Sequence, residues 1–135
     1  MMYLGSCLCG SIKFEIAGAI DSIIHCHCSL CQKSSGTAFA TNGFVNTAEF
    51  RIVEGQSDLS RFESKPGRER YFCGNCGSPI FSSNAEDPSR IRIRLGVVDS
   101  EIVERPISHN FVSSRADWED LDADLPRSDA YETGR

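Results

Sequence analysis

Hydrophobic and polar residues alternate along several short stretches of the chain, and this alternation is typical of half-buried β-strands. It is clearest at Ile12, Phe14 and Ile16, which are separated by Lys13 and Glu15. We therefore predict that the chain opens with a strand at this position. Further strands are predicted at residues 22–28, 37–45, 50–53, 60–63, 68–72, 80–82, 91–97 and 107–112.

Helical periodicity is scarce by comparison. Only two short segments suit a helix, residues 29–34 and residues 114–120, where Ser113 or Ser114 could cap the first turn and Asp117 would favour it. The pattern thus predicts a mainly β fold of curved or barrel-like form. Because no repeat or linker divides the chain, we predict one domain over residues 1–126 and an acidic tail over residues 127–135.

The charge of the chain is unevenly distributed. Residues 1–115 carry 12 acidic and 12 basic side chains, whereas residues 116–135 carry seven acidic and two basic ones, so the net charge of -5 lies in residues 116–135. Leu121, Leu125 and Tyr131 could anchor this C-terminal segment, which includes the tail, to the surface. A body without a broad basic face is unsuited to nonspecific nucleic-acid binding, and we expect no nucleic-acid partner.

Hydropathy along the chain also excludes some classes of protein. No stretch approaches the roughly 18 consecutive apolar residues of a membrane span. Residues 1–18 lack both the basic and the continuous apolar regions of a secretion signal. We therefore expect a soluble, unexported protein of the cytoplasm with no membrane partner.

Seven cysteines are the main candidates for chemistry. An odd number cannot form a fully paired disulfide framework, and a reducing compartment disfavours structural disulfides, so metal or thiol chemistry is the better interpretation. Each of the three cysteine clusters has the spacing of metal ligands. The clusters are Cys7 with Cys9, Cys26 with Cys28 and Cys31, and Cys73 with Cys76.

Two of the clusters are predicted to share one zinc ion. Cys73 and Cys76 form a C-x-x-C turn followed by glycine, in which both sulfurs point inward and backbone N–H groups approach them. A tetrahedral ion needs four ligands, and Cys7 and Cys9 lie on the same side of an extended segment. We predict a structural zinc site of these four thiolates; a redox pair at Cys73 and Cys76 is the alternative.

The remaining cluster offers three ligands, because Cys26 and Cys28 share one face of a strand and Cys31 follows in the next turn. Three protein ligands and an open position are typical of catalytic zinc. Zinc with three thiolates is a poorer Lewis acid than zinc held by neutral imidazoles, so holding a thiolate or orienting a small carbonyl suits it better than activating water. The alternative is a closed site completed by a histidine, for which the candidates are His25, His27 and His109.

These motifs resemble those of the glutathione-dependent formaldehyde-activating enzyme family, also called the centromere protein V family. The resemblance spans about residues 5–126. It rests on Cys7-x-Cys9-Gly10, on CHCSLCQKSSGTAFA at residues 26–40, on FCGNCGSPIF at residues 72–81, and on Pro106, His109 and SSRADWEDLDADLP at residues 113–126.

The resemblance implies several small coiled antiparallel β-sheets around zinc, an Mss4-like (β-tent) fold with only short helical turns. It implies two zinc ions per chain, a structural ion on the four cysteines and a catalytic ion on the three. It also implies a carbon–sulfur lyase whose partners are a small-molecule thiol, such as glutathione, and an aldehyde, such as formaldehyde. A noncatalytic zinc module that binds proteins is the rival interpretation.

Candidate contacts to the carboxylates of such a thiol are cationic side chains and a donor-rich turn at residues 32–36. Arg90, Arg92 and Arg94 alternate on one strand face, and Arg68 and Arg70 precede Cys73; solvated outer faces are the simpler interpretation of both sets. For residues 32–36, a connecting loop without a binding role is an equal alternative. Two aromatic residues, Trp118 and Phe111, are predicted to be core anchors of the C-terminal segment.

Overall fold

The computed structural model of the protein describes residues 2–132 and 134–135. Its first five strands are β1 (Tyr3–Ser6), β2 (Lys13–Ile16), β3 (Asp21–Cys26), β4 (Ala40–Asn46) and β5 (Phe50–Glu54). The other five are β6 (Leu59–Lys65), β7 (Arg68–Cys73), β8 (Pro79–Asn84), β9 (Arg90–Arg94) and β10 (Ser108–Asn110). A seven-residue helix, α1 (Ser29–Ser35), lies between β3 and β4. Single 3-10 turns occupy Thr47–Glu49, Gln56–Asp58, Leu95–Val97 and Val112–Ser114.

The strands form two sheets, and the predicted mainly β fold is confirmed. One sheet has three antiparallel strands in the order β1-β2-β5. The other has seven strands in the order β10-β3-β4-β9-β8-β7-β6, antiparallel except for the parallel pair β10 and β3. The larger sheet contains both β3 and β7, which end at Cys26 and Cys73 and are separated by β4, β9 and β8.

Strand β9 illustrates how alternation divides the molecule. Ile91 and Ile93 are buried in the main hydrophobic core, where Ile93 is fully inaccessible to solvent. Arg92 and Arg94 point to the other face, because successive side chains of a strand face opposite sides of the sheet. The core contains apolar side chains from both sheets, including Phe14, Ile16, Ile23, Val45 and Ile80. Because these apolar side chains cover one face of the large sheet, the functional residues lie on its other face.

All nine predicted strands are present, with ends shifted by a few residues, and the short helix α1 is confirmed. The strand missed by the pattern is β1, so the chain does not open with β2 as predicted. Its interior carries Gly5, where a Cβ atom would come within 2.0 Å of the Phe14 ring. The glycine is needed for the packing of Phe14, and it removes the apolar side chain that would have revealed the alternation.

The predicted helix at residues 114–120 is wrong. The structure has only the 3-10 turn Val112–Ser114 there, followed by irregular chain. Of the apolar residues in and beside this segment, Ala116 is buried whereas Trp118 and Leu121 are exposed, so no apolar helical face exists to pack. The predicted anchors of the tail are wrong as well, because Leu125 and Tyr131 are exposed. The division of the chain at residue 126 stays a prediction.

Among the described residues, no helix has the length and apolar character needed to cross a membrane.

Candidate metal sites and the adjoining cavity

Four cysteines meet where the end of β7 approaches the segment after β1. The sulfur atoms of Cys7, Cys9, Cys73 and Cys76 all lie within 4.8 Å of one another. Cys9 Sγ is 3.6 Å from Cys7 Sγ and 3.9 Å from Cys73 Sγ. Thiolates held about 2.3 Å from a tetrahedral zinc are roughly 3.8 Å apart, so the donors and their spacing fit such an ion.

Two similar turns orient these sulfurs. The Gly10 N–H donates to the Cys7 carbonyl at 3.0 Å, and the Gly77 N–H donates to the Cys73 carbonyl at 2.7 Å. Both glycines have left-handed backbones, with φ of 80° in each case, which a residue with a Cβ adopts only with strain. Each glycine thus closes a tight turn, after which the chain runs close to the sulfurs.

Polar groups around the four-cysteine cluster favour the charged form of two of its thiols, Cys9 and Cys76. Backbone N–H groups donate to Cys7 Sγ from Ile12 at 3.3 Å and to Cys73 Sγ from Cys76 at 3.4 Å. Hydrogen bonds from the side chain and backbone of Ser78 lower the pKa of Cys76 to about 5. Hydrogen bonds from Ser11 and Asn75 lower the pKa of Cys9 to about 7. Metal binding requires deprotonated thiols, so this surrounding suits a metal ion.

We predict that Asn75→Ala weakens metal binding at this cluster. The Asn75 side-chain amide donates to Cys9 Sγ at 3.2 Å, and loss of such an outer contact typically lowers metal affinity about 10- to 100-fold. Competition with a chromogenic chelator measures the effect. Asn46→Ala is the matched control, because its amide donates to Glu49 away from both cysteine clusters. Equal metal retention by both variants would contradict the prediction.

The other three cysteines meet where β3 ends and α1 begins. The sulfurs of Cys26, Cys28 and Cys31 also lie within 4.8 Å of one another, which would allow this group to hold a metal ion. Cys28 is the N-cap of α1, and its sulfur accepts the Cys31 N–H at 3.4 Å. Hydrogen bonds from Cys26, Cys28 and Arg70 lower the pKa of Cys31 to about 5. The short helix thus turns the third sulfur back toward the first two.

This three-cysteine cluster opens into a cavity of about 640 Å³. The cavity lies on the face of the large sheet opposite the main core, and strands β3, β4, β7, β8 and β9 all contribute to its wall. Cys26, Cys28 and Cys31 line it, whereas none of the four other cysteines does. The two clusters therefore differ in their access to a small molecule.

Four arginines line the same cavity, and the burial of Arg70, Arg92 and Arg94 overturns their interpretation as solvated outer faces, whereas Arg68 is exposed. Arg94 is only 7% exposed and Arg92 and Arg70 are half-buried, while Arg68 lies at the rim. Burial, together with the positive charge of Arg70, lowers the pKa of Arg94 to about 10. Arg90 is outside the cavity lining; it is paired with Asp87 and lies over the Phe44 ring.

The three histidines form a separate group beside the three-cysteine cluster. His27 Nε2 and His109 Nδ1 are 2.9 Å apart, and His25 Nδ1 is 2.9 Å from Thr41 Oγ1. Phe39 packs against all three rings. None of these histidines belongs to the three-cysteine group. That His25 and His27 are not ligands stays a prediction, based on their position on the strand face opposite Cys26 and Cys28.

Three further expectations about site residues are corrected by the structure. Residues 32–36 are not a donor-rich turn, because they complete α1, and the Gln32 amide donates to the His27 carbonyl at 2.7 Å and to the Ser114 carbonyl at 2.9 Å. Trp118 is not a core anchor, since 66% of it is exposed. Phe111 is 63% exposed and contributes to the cavity wall instead.

Sequence comparison places this arrangement among known proteins. The sequence model of the glutathione-dependent formaldehyde-activating enzyme family matches residues 2–114. A Halomonas elongata protein, provisionally named a glutathione-dependent formaldehyde-activating enzyme, is 24% identical over 131 residues, which cover 91% of this chain and 83% of that protein. An uncharacterized lyase of Schizosaccharomyces pombe is 27% identical over 88 residues, which cover 64% of this chain and 62% of that protein.

Structural comparison agrees on the fold. The crystal structure of a Rhodobacter sphaeroides protein superposes with a TM-score of 0.64 at 18% identity, covering 81% of this chain and 99% of that one. At that level of identity the likeness concerns the arrangement of the strands.

Proposed function

The chain belongs to the glutathione-dependent formaldehyde-activating enzyme family, and on that premise we propose that it is a zinc-dependent carbon–sulfur lyase. The proposed reaction is the reversible addition of a thiol, glutathione or a similar one, to formaldehyde or another small aldehyde. A carbon–sulfur bond forms, the carbonyl π bond breaks, and the thiol proton ends on the new hydroxyl oxygen. The presence of a lyase among the relatives agrees with this class.

The observation that carries the proposal is the position of Cys26, Cys28 and Cys31 in the wall of the cavity. In the proposal these three thiolates would hold a catalytic zinc, which would leave one coordination position for a ligand from the cavity. When bound there, zinc would supply a Lewis acid that keeps the sulfur of the substrate in the thiolate form. A cavity of about 640 Å³ has room for a tripeptide-sized thiol beside a small aldehyde.

The residues around the cluster would favour this chemistry by charge and position. Arg70 Nη2 lies 3.9 Å from Cys31 Sγ, and the buried Arg94 adds a second positive charge nearby. Three thiolates on zinc have a net charge of -1, which a substrate thiolate makes more negative, so these cations offset charge that would otherwise repel the substrate. The wall would also hold the two reactants side by side, and proximity of this kind can supply much of a rate enhancement.

The four-cysteine cluster has a structural role in the proposal. Cys7, Cys9, Cys73 and Cys76 would close a tetrahedral zinc site, giving two zinc ions per chain. Because such a site ties the segment after β1 to the end of β7, its metal would contribute to folding rather than to catalysis. All seven cysteines are free thiols, as a reducing compartment such as the cytoplasm would keep them.

Zinc-edge X-ray absorption of the purified two-zinc protein tests the proposal directly. One site with four sulfurs and one with three sulfurs plus an exchangeable oxygen should average to 3.5 sulfurs per zinc. In parallel, carbon-13 NMR of labelled formaldehyde with glutathione should show faster exchange into the thiol adduct with the protein than without it. An average of four protein ligands at both ions, with no acceleration, would instead indicate the noncatalytic module.

A further inference from the structure

The cavity beside the three-cysteine cluster contains more positive charge than the chain itself neutralises. Its lining includes five basic side chains, Lys65, Arg68, Arg70, Arg92 and Arg94. The acidic residue of the lining is Glu69, whose carboxylate already accepts a hydrogen bond from the Tyr71 hydroxyl at 2.7 Å and pairs with Arg61 at 3.4 Å. Even after three thiolates with zinc are counted as -1, a surplus of positive charge remains for a ligand.

The five cations are not equivalent. Arg70 contacts Cys31 Sγ directly, and the charges of both Cys31 and Cys26 act on Arg94, so these two arginines are taken as the inner pair. Arg94 is held in place by Ser82 Oγ and by the Arg92 carbonyl, each at 3.3 Å from its Nη1 atom. This inner pair balances the metal–thiolate cluster. Besides the exposed Lys65, it leaves Arg68 and Arg92, the outer pair, for another partner.

Among the described residues, the carboxylate whose charge acts on Arg92 is that of Asp87, and it is already paired with Arg90. Within residues 2–132 and 134–135, neither Arg68 nor Arg92 makes a side-chain hydrogen bond or an ion pair, whereas Arg90 on the same face of β9 is paired with Asp87. Arg92 lies 4.8 Å from the centre of the Phe44 ring, which supports its guanidinium in the wall. Burial lowers the pKa of Arg92, and the charges of Arg68 and Arg90 lower it further, so the arginines repel one another in the absence of an anion.

We propose that Arg68 and Arg92 bind a carboxylate of the thiol substrate, so that the enzyme selects thiols that carry a carboxylate remote from the sulfur. The inference rests on the proposed function, because it takes the sulfur of the same molecule to be at the three-cysteine cluster. Guanidinium groups bind carboxylates through paired, charge-assisted hydrogen bonds, and a partly buried site strengthens them. Selection by charge would exclude neutral thiols of similar size.

Binding of S-methylglutathione to the two-zinc protein tests the inference without any turnover, since its blocked sulfur cannot add to an aldehyde. Calorimetry should detect binding to the unaltered protein and binding about 10- to 100-fold weaker to Arg92→Gln, the loss expected for a charge-assisted contact. Arg92→Lys should recover part of the affinity. Arg90→Gln is the matched control on the same strand face, and it should bind as the unaltered protein does.

Kinetics with free thiols separates failure of the inference from failure of the proposed function. The kcat/KM of the unaltered protein should be at least about tenfold higher for glutathione than for glutathione diethyl ester. Arg92→Gln should remove this preference, mainly by raising KM for glutathione. Equal use of acid and ester, or equal S-methylglutathione binding by Arg92→Gln and Arg90→Gln, would overturn the inference. Charge-dependent binding of S-methylglutathione without any adduct turnover would support it and overturn the lyase assignment instead.

Discussion

Replacing Cys73 by serine is expected to unfold the protein or cause it to aggregate. The Cys73 side chain is fully buried, and its sulfur lies among those of Cys7, Cys9 and Cys76. A serine cannot replace a thiolate ligand, so the metal would be lost. Structural zinc contributes about 10–16 kcal/mol of apparent binding free energy in small zinc peptides, which is comparable to the roughly 5–15 kcal/mol that stabilises a typical domain.

Circular dichroism, size-exclusion chromatography and zinc analysis of Cys73→Ser measure this effect. We expect a large loss of stability because the metal would link the β1–β2 turn, in the small sheet, to β7, in the large sheet. Ser60→Ala is a suitable control, since Ser60 lies on β6 beside Gly74 of the same turn without belonging to the metal group. A Cys73→Ser protein that still unfolds cooperatively at a similar denaturant concentration would rule out a structural role for this site.

How far the sequence predicts this fold depends on the residue type at each strand. Alternation revealed β2 because Phe14 and Ile16 are large and buried while Lys13 is exposed. It did not reveal β1, where Gly5 leaves the space that the Phe14 ring occupies. The need for glycine at position 5 comes from packing between β1 and β2, so the sequence of β1 alone does not indicate it.

The cysteine groups were predictable because ligand spacing is local, whereas the residues that surround the sulfurs were missed. Ser11 and Ser78 were not identified, although each follows a Cys-Gly pair and lies close to the four sulfurs. The repeated C-G-S string was the available signal: a left-handed glycine returns the chain so that the next side chain reaches the cluster. Asn75 gave no comparable signal, because its contact with Cys9 depends on how the two turns meet.

The arginines of β9 show where pattern reasoning ends. Alternation correctly put Arg92 and Arg94 opposite Ile91 and Ile93. It could not tell whether the arginine face is open to solvent or covered, because that depends on elements distant in sequence. Here residues from α1 and β10 lie at the same cavity as the arginines, so this face became a pocket wall rather than an outer surface.

Cys28→Ser is expected to abolish adduct turnover while the fold is retained. Cys28 is half-buried in the cavity wall, and in the proposal it supplies one of three ligands to the catalytic zinc. Loss of a ligand should lower kcat/KM at least about 100-fold, since changes at outer contacts alone typically cost 10- to 100-fold. Its second role, accepting the Cys31 N–H as the N-cap of α1, is one that serine performs well.

Cys28→Ser replaces a single sulfur atom by oxygen, so it should remove catalysis without removing stability. We expect one tightly bound zinc per chain, a cooperative unfolding transition and no acceleration of formaldehyde exchange into the glutathione adduct. Lys33→Gln is the matched control, because Lys33 is exposed on the same helix and outside the cavity lining, and it should retain full activity. If Cys28→Ser instead lost both ions and unfolded as Cys73→Ser does, the two clusters would share one structural role. If it kept full turnover, the open zinc position would not be where the thiol reacts.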